Sequence, residues 1–376
     1  MHVYWASVFI LPDAVIHDIE KLLKGFLWCQ EDSARGKEKA AWKFVCTPKD
    51  QGGLGLKPMK EWNEVLILKQ LWKIVERKES LWYKWVNTVK LKGRSIWGIQ
   101  SDYKDSWNWG QLLKLREKIR EHLIIPRRER YRSGINDHIS VHDFKQTYGD
   151  HWSNEWRTKY PMVNHIQIPV INNNVDMVKW VTNDNIRVEY STKQVWRDLR
   201  ANGSFKDWYH VVWFKQLVPK DAFILWLVIC DRLPTQERIS KWKPSFNSLC
   251  PLCGRIPDSI DHLFFECCYS RNVWKIMKSM ILFQGLTCKI GDIITSMSNY
   301  PFKNQIWSVI TRLVIAAAVY YIWQERNKRL FKGEKKNEKD LAELAIDFIR
   351  VKLLTLKVKQ SKNIHKAEEI WEIKWK

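Results

Sequence analysis

The chain has 376 residues, 45% of them hydrophobic, and carries 63 Lys and Arg against 41 Asp and Glu for a formal net charge of +22. That length and apolar content allow two or three cores and exclude a disordered tail, while the charge surplus favours a polyanionic partner, nucleic acid being the commonest and an anionic membrane the rival. Eight cysteines in so long a chain exclude a disulfide scaffold and point to a reducing, intracellular compartment.

Val3 to Leu11 is apolar but lacks a basic leader and a cleavage site, so it is not read as a secretory signal. From Asp13 to Trp28, Val15, Ile16, Ile19, Leu22, Leu23, Phe26 and Leu27 recur at three-and-four spacing and predict an amphipathic helix. Gln51-Gly52-Gly53-Leu54-Gly55-Leu56 is Gly-rich, but no Lys-Ser/Thr follows it, so it predicts a tight turn between packed elements rather than a phosphate cradle. Helices are expected over Trp62–Arg77, Leu81–Leu91 and Leu112–Leu123. After Pro126, residues Arg127, Arg128, Arg130 and Arg132 crowd around Tyr131 and form a candidate phosphate-contact patch, against the alternative of a solvated loop.

Asn172-Asn173-Asn174 marks a linker. Asp176–Val181 and Ile186–Tyr190 alternate across Thr182-Asn183-Asp184-Asn185 and predict a β-hairpin. Ser191 then caps a helix through Leu199. Pro219–Cys230 is apolar all round and predicts a buried helix, and Thr235 is placed to cap a short one. Further helices are predicted over Ser270–Met280, Ile306–Phe331 and about Glu338–Val358, with Gly333 as a break. The longest apolar runs, Ala222–Cys230 and Leu313–Trp323, are too short to span a bilayer. Most of the 23 tryptophans are expected in cores.

The most specific signal is Cys250-Pro-Leu-Cys253, then His262, then Cys267: a C-x2-C-x8-H-x4-C run. Thiolate and imidazole are the donors a structural zinc takes in tetrahedral geometry. Two residues between cysteines let one turn aim both sulfurs at one ion, and Gly254 stands where such a turn needs a positive φ. Asp258 or Ser259 is placed to cap the segment carrying His262. Five positions separate His262 from Cys267, more than a helical turn, so the helix should end or loosen at Cys267. Cys268 is the competing fourth ligand, and the competing reading of the run is buried thiols beside a core histidine. An open catalytic zinc finds no support in the pattern.

These residues resemble a known family. Val3-Tyr4-Trp5, Pro12, Phe26-Leu27-Trp28, Trp42, Gly52-Gly53-Leu54-Gly55, Asn63 and Lys69-Gln70-Leu71-Trp72 resemble the region that follows the polymerase palm in plant LINE-type (non-LTR) reverse transcriptases. Tyr190-Ser191-Thr192-Lys193, Trp213, Pro219-Lys220, Phe223, Leu225-Trp226, Arg232-Leu233-Pro234-Thr235, the Cys250–Cys267 run, Ser270-Arg271 and Trp274 resemble the zinc-binding domain of the same elements. Tyr321-Ile322-Trp323 and Glu325-Arg326-Asn327 resemble the helix after it. Relatives commonly have proline where Cys268 stands.

The resemblance implies a mainly α fold: a helical connection or thumb-like region over 1–150, a zinc-binding domain over 175–285 with one β-hairpin at its start, and a C-terminal helical extension over 302–376. It implies one structural zinc held by Cys250, Cys253, His262 and Cys267. It also implies no catalytic residue: the paired aspartates that a family polymerase uses to hold two metal ions occur nowhere in the sequence, fingers and palm would lie before Met1, and the stretch after Arg329 is too short for an RNase H domain. The expectation is therefore a non-catalytic fragment that binds RNA or DNA through basic surfaces. Arg127, Arg128, Arg130 and Arg132 are the candidate contacts, with Arg255 and Arg271 beside the metal, where they could instead neutralise a Cys3His zinc centre of net charge −1. The alternatives are a protein-interaction module or a retroelement remnant that docks on an intact polymerase or on itself. No membrane and no small-molecule substrate are expected, and a nuclear location is.

Overall fold

The computed structural model describes residues 2–28, 39–94, 96–120, 122, 154–159, 161, 178–200, 203–241, 247–283, 285–300 and 305–375. In chain order its helices are α1 (His2–Val8), α2 (Asp13–Trp28), α3 (Trp42–Val45), α4 (Met59–Val75), α5 (Leu81–Trp85), α6 (Trp107–Arg120), α7 (Asn154–Lys159), α8 (Thr192–Leu199), α9 (Tyr209–Val212), α10 (Pro219–Ile229), α11 (Gln236–Ser240), α12 (Cys268–Lys278), α13 (Ile290–Ser298), α14 (Ile306–Lys332), α15 (Glu338–Leu354) and α16 (Lys362–Trp371). Between α7 and α8 lies one antiparallel hairpin, β1 (Trp180–Val181) and β2 (Arg187–Val188), with Trp180 opposite Val188 and Val181 opposite Arg187. The mainly helical class, with a single hairpin among the described residues, is as expected. The hairpin is shorter than the alternation predicted, and the start of its first predicted strand lies outside the described residues.

The chain divides into two units, Met1–Leu23 with Lys57–Asn202 and Lys24–Leu56 with Gly203–Lys376. The hairpin falls in the first unit, residues 24–56 join the zinc-bearing unit, and the C-terminal helices share that unit's core.

The first unit is held by aromatic packing. Trp180 is fully buried, with the His122 ring stacked on it at 4.2 Å and its indole N–H donating to Asp198 Oδ2 at 2.6 Å. Tyr190 stacks on Trp72 of α4 at 4.8 Å. Polar satisfaction fixes the approach of α1: buried Asn63 donates to the Ala6 and Phe9 carbonyls at 2.6 and 2.8 Å and accepts from the Leu11 N–H at 2.8 Å. Ser191 Oγ accepts from the Gln194 N–H at 3.2 Å and caps α8 as expected.

In the second unit α14 is the central element. Gly333, at φ +70°, ends it. By length and composition α14 could cross a membrane, yet 83% of its most apolar window is buried inside this unit, which makes it a core helix. It runs one residue beyond the Ile306–Phe331 helix expected, and within it Arg312 donates to the Ser308 and His210 carbonyls at 3.0 and 3.1 Å. The Gly-rich turn is structural, as predicted. Gly52 and Gly55 sit at φ +96° and +74°, where only glycine is unstrained. The Gly52 carbonyl accepts from the indole of buried Trp226 at 2.8 Å.

Candidate metal centre

The zinc loop is built from local bonds before any metal is considered. The Cys250 N–H donates to the Ile256 carbonyl at 2.8 Å and the Asp258 N–H to the Ser248 carbonyl at 2.8 Å, closing a narrow ribbon around Cys250-Pro-Leu-Cys253. The Gly254 N–H returns to the Cys250 carbonyl at 2.7 Å with Gly254 at φ +65°, the positive value anticipated. Ser259, rather than Asp258, caps the next segment: its Oγ accepts from the His262 N–H at 3.1 Å.

That segment, His262–Glu266, is a single wide turn broken by Phe264 (φ −97°, ψ 93°) and Phe265 (φ 79°, ψ −6°). Chain direction therefore changes between His262 and Cys267, and Cys267 becomes the N-cap position of α12. The loosening predicted from their spacing occurs there. A non-glycine residue in the left-handed region is costly. It is tolerated at Phe265 because the ring is fully buried and stacks on Trp274 at 4.6 Å.

The result is convergence. One donor atom from each of Cys250, Cys253, His262 and Cys267 lies within 4.8 Å of the other three, and Cys253 Sγ stands 3.3 Å from His262 Nε2. A tetrahedral zinc with Zn–S bonds near 2.3 Å needs ligand sulfurs roughly 3.8 Å apart, so the four donors fit one ion with small adjustment. Cys250 and Cys267 are buried, whereas Cys268 is exposed and outside the cluster, which favours Cys267 as the fourth donor.

Electrostatics agree with a metal-ligand set. The Cys250 and Cys267 thiols are hydrogen-bonded to each other, which holds Cys250 below the usual thiol range and drives Cys267 above it, burial adding to the latter. Burial pushes His262 down, toward the neutral imidazole that coordinates metal.

A second set of residues holds this loop to α14, and sequence reasoning missed it. Asp258 is fully buried and pairs with buried Arg326: Nη2 is 2.5 Å and Nε 3.1 Å from Asp258 Oδ2. The same oxygen accepts from the Gln236 N–H at 2.8 Å and so caps α11. Thr235 occupies the N-cap position but makes no side-chain capping bond. Arg329 reaches the Leu252 carbonyl, inside the cysteine knuckle, at 3.0 Å and pairs with buried Glu325 at 2.8 Å. Arg329 also lies over the Tyr269 ring at 4.2 Å. The basic stretch Arg326–Arg329 therefore contains two braces of the metal loop, with Arg326 withdrawn from solvent. The available signal was its place in a helix whose apolar face is unusually wide.

Of the candidate nucleic-acid contacts, Arg255 and Arg271 are both exposed beside the loop, and Arg271 donates to the Glu266 carbonyl at 2.9 Å. Arg127, Arg128, Arg130 and Arg132 lie outside the described residues.

Comparison with known proteins agrees with this geometry. Residues 190–274 match the family described as zinc-binding in reverse transcriptase, so the chain contains a reverse-transcriptase zinc-binding domain, and the Cys3His cluster falls inside it. Its relatives are plant proteins. The chain is 34% identical over 82 residues to an Arabidopsis thaliana protein named "Putative ribonuclease H protein", a match covering 22% of this chain and 13% of that protein. It is 24% identical over 123 residues to an uncharacterized mitochondrial protein of Arabidopsis thaliana, covering 32% of this chain and 80% of that one. The chain thus spans about one eighth of the first of these relatives.

Proposed function

We propose that this chain is a non-catalytic, zinc-stapled module of a LINE-type reverse transcriptase that binds RNA or DNA through its basic surfaces and works in the nucleus. The observation that carries the reading is a convergent Cys3His cluster inside a reverse-transcriptase zinc-binding domain on a chain of net charge +22. The zinc would be structural. Cys250, Cys253, His262 and Cys267 would hold it, and it would cross-link the knuckle to the start of α12. All four donors come from the protein, which leaves no open position for substrate or water. The exposed Arg255 and Arg271 flank a centre whose net negative charge needs only one of them for balance.

The test is metal analysis followed by a salt titration. Purified protein should carry one zinc per chain, and its affinity for a labelled oligonucleotide should fall steeply and log-linearly as salt rises. Absent zinc, or absent or salt-independent binding, refutes the reading.

A second reading, protein docking, has its own observation. On α1, Tyr4, Trp5 and Phe9 just beyond its end are 67%, 52% and 42% exposed, and on α2 Leu22 and Phe26 are 72% and 88% exposed. Faces this apolar mark interaction surfaces. Light scattering with and without oligonucleotide separates the two: a stable oligomer or heterocomplex indifferent to nucleic acid favours docking.

A further inference from the structure

The second unit carries a cleft that the zinc domain does not explain. It lies where the start of α14, the end of α15 and the start of α16 meet, has a volume of about 750 Å³, and is lined by Lys215, Lys352, Lys357 and Lys359 with no carboxylate among its lining residues. Lys215, Lys357 and Lys359 are exposed. Residues 351–367 contain five lysines and no Asp or Glu. The neighbouring Arg350 shows the contrast: it is held by Asp347 and Glu372 at 2.9 and 2.7 Å, whereas among the described residues no carboxylate pairs with the four cleft lysines.

Gln305 and Asn363 line this cleft and also a smaller recess of about 240 Å³. That recess is aromatic, with Phe283, Tyr300 and Trp307 in its walls. Phe283 and Tyr300 meet edge to face at 5.2 Å, and Tyr300 is 40% exposed. The Trp307 indole N–H is shielded from water and has no acceptor among the described residues.

A run of unpaired cations leading to an aromatic recess is the chemistry of single-stranded nucleic acid: phosphates track the positive groove while an unpaired base stacks. A duplex fits poorly, because its base faces are hidden. We infer that the α14–α15–α16 cleft is a single-strand binding groove, with phosphates on Lys352, Lys357 and Lys359 and a base in the Phe283–Tyr300–Trp307 recess. This rests on the nucleic-acid reading above and gives it a location away from the zinc loop.

The test is fluorescence anisotropy on the full zinc-loaded chain with labelled oligouridylate and oligothymidylate of about twelve nucleotides and a duplex of equal length. The triple substitution Lys352→Gln, Lys357→Gln, Lys359→Gln should weaken single-strand binding at least tenfold. It should also lower the slope of log affinity against log salt by about 2, at roughly 0.7 per phosphate contact. The corresponding triple Lys→Arg variant should retain both. Tyr300→Ala should weaken single strands and leave the duplex unchanged. Equal loss for oligouridylate and oligothymidylate supports a groove that reads the shared backbone and base face, and loss for one alone assigns the groove to RNA or to DNA. If the wild-type chain binds oligonucleotide but the triple Gln variant matches it in affinity and slope, the groove is wrong while the general reading stands. If the wild-type chain binds none, the general reading falls first. Equal loss on single strand and duplex overturns the single-strand assignment, as does binding to phosphatidylserine vesicles without binding to oligonucleotide.

Discussion

Arg326→Met should be among the most damaging single substitutions available outside the four metal donors. The side chains of Arg326 and Asp258 are 2% and 0% exposed and are joined by contacts of 2.5 and 3.1 Å. Methionine keeps the apolar stem, which packs as arginine stems do, but strips both charged bonds from Asp258. The carboxylate then remains buried with only the Gln236 N–H at 2.8 Å for company. Breaking a buried pair from one side costs about 3–5 kcal/mol, because the remaining charge is uncompensated. That is roughly two to three and a half powers of ten in the opening equilibrium. Asp258 lies between the cysteine knuckle and His262, so the loss should appear as early zinc release. The assay is urea titration with a chromogenic zinc chelator as reporter, which follows this unit alone. Arg326→Met should release zinc at markedly lower urea, Asp258→Leu should also be costly, and the double variant should be much milder than their sum, since a hydrophobic pair can replace a buried ion pair at little cost. A single-variant cost below about 1 kcal/mol, or simple additivity, would refute the idea that a desolvated charge pair clamps the loop.

Three further outcomes are expected. Asp221 is buried in the first turn of α10, and burial raises its carboxyl to about 7; an acid raised on folding makes the folded state bind more protons, so stability should fall as pH rises from about 4 to about 7 and then level off, by up to about 4 kcal/mol. Asp221→Asn should remove that fall and raise the melting temperature at pH 8, and an unchanged pH profile would contradict it. Gly53→Ala should destabilise by about 2 kcal/mol or more, because an added Cβ would meet the Phe44 carbonyl at 2.7 Å and Thr47 more closely still; denaturant midpoints check this, and a neutral result counts against the close approach. With cobalt in place of zinc, Cys253→Ser and Cys267→Ser should weaken the sulfur-to-metal charge-transfer band while Cys268→Ser leaves it at full intensity; the reverse for the last two would make Cys268 the ligand.

What was legible in the sequence was what short-range geometry decides. Two residues between Cys250 and Cys253, a glycine after them and a serine three before His262 each specify a local bond, and each is present. The amphipathic and all-apolar helices were legible for the same reason, since periodicity is a property of one segment. Asp258 and Arg326 are 68 positions apart, and nothing local marks either as a partner: an acid before a helix looks like a cap, and an arginine in a basic run looks solvated. The recruitment of residues 24–56 into the second unit was hidden likewise, because Trp42 and Val45 find their core neighbours far along the chain. Helix α13 went unread because Ile290, Ile293 and Met297 make a short stripe of three buried positions, too few for periodicity to assert itself.

The stretch that carries the family likeness, 190–274, coincides with neither of the two compact units. Its first thirteen residues belong to the unit containing α4, where Tyr190 rests on Trp72. The remainder depends on α14 for the arginines that grip its loop, and on the Gly52 carbonyl for the Trp226 indole. Excised at those borders, the peptide would leave Asp258 without Arg326 and the Trp226 indole without its acceptor, and would lay bare an apolar face that α14 normally covers. Such a piece should aggregate even with zinc supplied, whereas a piece joining residues 24–56 to 203–376 should not. The boundary a lineage preserves and the boundary a core requires are, in this protein, two different lines.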